Sequence, residues 1–136
     1  MKLLKMYMIN TKTIIDSTIW KEYLNKGNTK ETKVLEDLIK EDKVVICGYT
    51  LAEVLKDIQG KETFEKLLKG FLALPFVEIE KEDWIKASKL AFEFKGLPIE
   101  LGLLCALSQK KNLKILTKNK KIKKIKSVKL YENEKE

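Results

Sequence analysis

Five short apolar runs rich in β-branched residues, TKTII, KVVIC, PFVEI, LKILT and SVKLY, recur along the chain with helical patterns between them. This alternation constrains the fold more than any other feature, because strands linked through helices join a sheet in parallel. A parallel sheet needs cover on both faces, so the pattern predicts a three-layer α/β/α fold around about five parallel strands. A first helix is expected from Thr18 to Asn25. A second, from Asn28 to Lys40, has Asn28 and Glu31 at capping-box spacing and turns Val34, Leu35, Leu38 and Ile39 inward. A third starts at Thr50, and Phe64, Leu67, Leu68, Phe71 and Leu72 stripe a fourth. The fifth runs roughly from Glu82 to Lys95 and buries Trp84, Ala87, Ala91 and Phe94. The sixth, in GLPIELGLLCALSQ, is almost wholly apolar, with Leu97, Leu101, Leu104 and Cys105 as its stripe. At 136 residues the chain suits one domain, residues 1–136, with a core from about 12 to 130 and a frayed basic and acidic tail.

Composition removes whole classes of chemistry. Histidine is absent, which excludes Ser-His-Asp and Cys-His catalysis and His-ligated zinc. Cys47 and Cys105 lie inside apolar patterns and are expected as buried thiols in a cytoplasmic protein. No apolar run is long enough for a membrane span, and MKLLKMYM is too short and too charged for an export signal. Every basic residue is lysine, and the Lys-, Glu- and Ile-rich composition resembles that of hyperthermophiles, although an AT-rich genome produces it as well. A net charge of +8 favours a polyanionic partner such as RNA or DNA, although solubility alone also accounts for it.

In open parallel sheets the functional crevice lies outside the carboxyl ends of the strands. Asp16 ends the first strand, and Thr117 and Asn119 end the fourth. Glu53 stands early in the helix after the second strand, and Glu100 opens the helix that returns to the fourth. These positions are expected on one rim. Each has a structural alternative. Asp16 is a good helix cap, Thr50 and Glu53 have capping-box spacing, and Glu100 suits the positive end of a helix dipole. Ile122 and Ile125 anchor the lysine run KNKKIKKIK, which reads either as a solvated face or as a phosphate-binding surface.

The segments IIDSTIW, TLAEVL and GLPIELGLLCALSQKKNLKILTKN follow the order and spacing of PIN domains, and most resemble the VapC-like toxins of toxin–antitoxin pairs. The resemblance runs from about Lys12 to Leu130. It implies a Mg²⁺- or Mn²⁺-dependent endoribonuclease, usually a homodimer, restrained by a cognate antitoxin. It assigns Asp16, Glu53 and Glu100 as catalytic acids, and these three with Asn119 as metal ligands. Thr18 and Thr117 support them, and Lys118, Lys120 and Lys121 would contact RNA. Two positions depart from the pattern. The third acid is due sixteen residues before Thr117, at Leu101, with Glu100 one residue earlier, and the fourth acid is Asn119. One helical step turns a side chain by about 100°, so Glu100 is expected to point away from the family's direction unless the helix rotates. Asp57, one turn beyond Glu53, is a possible substitute. The other reading is a PIN-like module that binds RNA or a protein partner with weakened catalysis.

Overall fold

The computed structural model describes residues 11–132; the MKLLKMYM segment and the tail beyond Glu132 lie outside the described residues. The strands are β1 (Thr13–Ile15), β2 (Val44–Val45), β3 (Lys114–Leu116) and β4 (Lys129–Leu130). All pair in parallel in the order β2-β1-β3-β4. The helices are α1 (Ser17–Leu24), α2 (Lys30–Lys40), α3 (Gly48–Leu55), α4 (Lys61–Leu72), α5 (Lys81–Glu93) and α6 (Ile99–Lys111), and a 3-10 helix spans Lys120–Lys124.

Residue alternation along the strands builds the layers. Ile14, Val45, Cys47 and Ile115 face one core, with Leu90, Leu101, Leu104, Cys105 and Ile122. Ile15, Val44, Ile46 and Leu116 face the other, with Trp20, Leu35, Val54 and Phe71. The cores sit on opposite faces, as the three-layer expectation requires. Both thiols are free and buried. Among the described residues no helix is long and apolar enough to cross a membrane.

α6 is the central element, with every residue from Glu100 to Ser108 buried. Its approach to α5 depends on Gly102, where a Cβ would stand 2.8 Å from the Ala87 carbonyl oxygen. It ends at Asn112 in the left-handed conformation, φ 56°, which Asn tolerates better than most residues.

Several local expectations need correction. PFVEI yields only an isolated parallel bridge, Ile46 to Phe76, so the sheet has four strands rather than about five. The Pro75 carbonyl still accepts from the Ile46 amide, but Pro75 offers no donor to extend the ladder. The α2 capping box is Thr29 with Thr32, not Asn28 with Glu31. Thr50 does not cap α3, which begins at Gly48, so Thr50 lies inside the helix and its hydroxyl is released for another partner. Trp84 is 42% exposed rather than buried, because α5 faces α6 with Ala87 and Leu90, and its indole packs edge-on to Tyr49 at 6.0 Å. Ala91 and Phe94 are only half-buried, and Leu72 at the end of α4 is exposed.

Candidate functional site

The carboxyl ends of β1 and β3 lie side by side, because Ile15 pairs with Leu116 and the Asp16 amide donates to the Leu116 carbonyl at 3.0 Å. Asp16 leaves the strand as the N-cap of α1, its Oδ1 accepting from the Thr18 amide at 2.9 Å. Its Oδ2 accepts from the Thr117 hydroxyl at 2.6 Å. The Asn119 amide donates to that hydroxyl oxygen at 3.1 Å, while Asn119 Oδ1 accepts from the Lys121 amide at 3.0 Å and caps the 3-10 helix. One carboxylate thus ties together the ends of two adjacent strands.

Glu100 reaches the same rim from the first turn of α6. Its Oε1 accepts from the Ser17 hydroxyl at 2.6 Å. Its Oε2 accepts from the Thr50 hydroxyl at 2.8 Å and from the Ser17 amide at 3.2 Å. Glu100 therefore faces the site, and Leu101 turns into the core at 3% exposure. The rotation of α6 about its axis thus carries the acid at position 100 to the rim, one helical step of about 100° from the counted position 101. Burial pushes the Glu100 carboxyl above the ordinary glutamate range; the bonds from Ser17 and Thr50 work against this, and the charge of Asp16 adds to it.

A cleft of about 350 Å³ is lined by Asp16, Thr18, Pro98, Glu100, Leu101, Lys118 and Asn119. Glu53 does not line it. Its carboxylate faces Lys21 at 3.8 Å and Lys56 at 3.7 Å, and Asp57 faces Lys21 at 3.3 Å. Glu53 is still near the rim: Tyr49 has its phenol pushed up first by burial, then by the charges of Glu53 and Glu100. Lys118 binds Glu22 through two contacts at 2.6 and 2.9 Å. Lys120 lines a neighbouring cavity of about 280 Å³ with Lys30, Thr117, Lys123 and Tyr131. Lys121 lies over Gly96, where a Cβ would approach its Nζ to 3.0 Å.

The donor set fits a hard cation only in part. Among the described residues no group of three or more Asp, Glu, Cys or His side chains is arranged to hold a metal ion. Asp16 and Glu100 converge as a pair, joined by hydroxyl and amide oxygens. Such a pair suits an ion like Mg²⁺, which retains several waters and uses one or two carboxylates; it does not make a closed protein cage. Sequence reasoning missed Ser17 and Thr50 as the groups that orient Glu100. The spacing of Thr50 to Glu53 imitates a cap, and only the position of Ser17 beside Asp16 was a signal.

The fold is similar to several solved structures. A toxin–antitoxin complex from Klebsiella pneumoniae matches with TM-score 0.69 and 18% identity, covering 90% of this chain and 100% of that one. VapBC2 from Rickettsia felis, bound to a promoter DNA fragment, matches with TM-score 0.66 and 23% identity, covering 89% and 98%. FitAcB from Neisseria gonorrhoeae matches with TM-score 0.65 and 16% identity, covering 88% and 96%. No curated protein sequence matches the chain significantly. The family model of the PIN domain matches residues 13–128, nearly the whole described chain. With the parallel sheet and its rim of carboxylates in place, the chain belongs to the PIN domain family.

Proposed function

We propose that this PIN domain is a metal-dependent endoribonuclease of the VapC toxin type, cleaving single-stranded RNA at the Asp16–Glu100 cleft. One observation carries the reading: two buried carboxylates from remote parts of the chain, neither with an ion-pair partner among the described residues, meet in one open cleft at the carboxyl ends of parallel strands. Asp16 and Glu100 would hold Mg²⁺ or Mn²⁺ directly, with Glu53 and Asn119 acting through water. A bound divalent ion supplies a water of lowered pKa and neutralises charge developing on the phosphate. The chain's own residues set the geometry. Thr117 and the Thr18 amide fix Asp16, and Ser17 and Thr50 fix Glu100, so both carboxylates are aimed before substrate arrives. Lys118 offers an ammonium at the mouth of the cleft for an RNA phosphate, and Lys120 and Lys121 extend the positive surface.

The similarity to toxin–antitoxin complexes supports a cognate antitoxin as partner; a homodimer as working state and the cytoplasm as location follow only from reading the chain as a toxin of this type. The test is incubation of the pure protein with single-stranded RNA and Mn²⁺ beside an Asp16→Asn variant. Cleavage is expected to fall by at least about 100-fold in the variant. Equal cleavage by both, or none by either, defeats the proposal. The missing third acid in the described cluster favours one rival, a PIN module that binds RNA without cutting it. RNA retained on the protein with no Mn²⁺ binding by calorimetry selects that rival.

A further inference from the structure

We propose that Glu22 is a positioning residue that holds the Lys118 ammonium away from Asp16 and Glu100, keeping the two carboxylates open for a divalent cation. The proposal rests on reading that pair as cation ligands. Lys118 lines the cleft that contains both acids. A flexible ammonium next to two uncompensated carboxylates is expected to fold onto them and fill the cation's place. The structure shows another outcome: Lys118 Nζ sits 2.6 and 2.9 Å from the two oxygens of Glu22.

The α1–α2 loop is built to support that grip. The Gly27 amide donates to the Glu22 carbonyl at 2.8 Å. A Cβ at residue 27 would stand 2.9 Å from the same oxygen, so only glycine allows this approach. The close turn brings the N-cap of α2 back over α1, where the Thr29 hydroxyl donates to Glu22 Oε2 at 3.3 Å. Glu22 is thus braced by a hydroxyl from the next helix while it holds the lysine. A half-exposed ion pair adds little to stability. Its effect here is on location, since the ammonium is held on Glu22 rather than on Asp16 or Glu100.

The experiment is calorimetric titration of the intact chain with MnCl₂, comparing wild type, Glu22→Gln, Lys118→Met and the double variant. Glu22→Gln is expected to weaken Mn²⁺ binding by about three- to tenfold, because the freed ammonium competes for the carboxylates. Lys118→Met should bind Mn²⁺ as tightly as wild type or more tightly, and the double variant should match Lys118→Met. In RNA cleavage, saturating Mn²⁺ should restore most of kcat in Glu22→Gln. Unchanged affinity in Glu22→Gln overturns the proposal and leaves the cation site standing. So does a double variant as weak as Glu22→Gln. Weaker binding by Lys118→Met than by wild type overturns it without use of Glu22→Gln, should that variant fail to fold. Absence of Mn²⁺ binding by the wild type removes the cation site itself, and the role of Glu22 with it.

Discussion

Two buried carboxylates touch opposite ends of α6 and meet opposite fates. Asp83, in the first turn of α5, reaches Lys110 in the last turn of α6 at 2.6 Å and accepts from the Glu80 amide at 2.8 Å. Burial pushes its carboxyl up, but the Glu80 amide and the Lys110 ammonium outweigh that and hold it below the ordinary range. Lys110 is raised in return, first by its bond to Asp83. Glu100 is just as well bonded, yet its donors are neutral hydroxyls and an amide, and its nearest charged neighbour is another acid. Hydroxyls orient a carboxylate without neutralising it. Asp83 is complete within the protein, whereas Glu100 and Asp16 together keep a negative charge that an outside cation would satisfy.

The strongest way to break this comparison is to exchange the properties of the two acids. Glu100→Gln should lower RNA cleavage with Mn²⁺ by about 100-fold or more while leaving the thermal midpoint unchanged or higher in metal-free buffer. Loss of the midpoint together with activity would make Glu100 a structural acid. Asp83→Ala should do the reverse. Removing its bonds to Lys110 and to the start of α5 is expected to cost about 2 kcal/mol, a drop in midpoint of roughly 6–10 °C, with cleavage per folded molecule unaffected at low temperature. Unfolding scans and initial rates on the same samples decide both.

Added Mn²⁺ sharpens the contrast. It should raise the midpoint of wild type and of Asp83→Ala, by up to about 2.7 kcal/mol of linkage at a hundredfold excess over Kd, and leave Glu100→Gln unmoved. A similar rise in all three places the ion elsewhere. The smallest effect is that of acid. Asp83 has its folded pKa below the unfolded value near 3.8, so its stabilisation is complete well above that value and fades as pH falls through the folded one. Wild type should therefore lose midpoint below about pH 4 more steeply than Asp83→Ala, and parallel curves would count against the pair.

The layered fold was legible because period-two strands and period-3.6 helices leave different marks, and the apolar run from Leu101 to Leu107, opened by Pro98, read as a central helix. Strand PFVEI was over-read: Pro75 stands in the run itself, and without an N–H to donate it limits pairing to one bridge. The rim positions of Asp16, Thr117 and Asn119 followed from the rule about strand ends. The aim of Glu100 did not. A residue count along the chain places an acid on α6 but does not give the rotation of that helix about its axis. Nor did spacing separate Thr50 as a cap from Thr50 as a partner of Glu100, because helix α3 starts two residues before it.

The burial of α6 from Glu100 to Ser108 has a consequence for the cost of ligand capture. Because Ser17 and Thr50 already hold its side chain, the rotamer freedom of Glu100 is surrendered when the chain folds, not when an ion arrives. Capture then spends little entropy on ordering the protein, and a site with few ligands can compete with one that has more but must first assemble them.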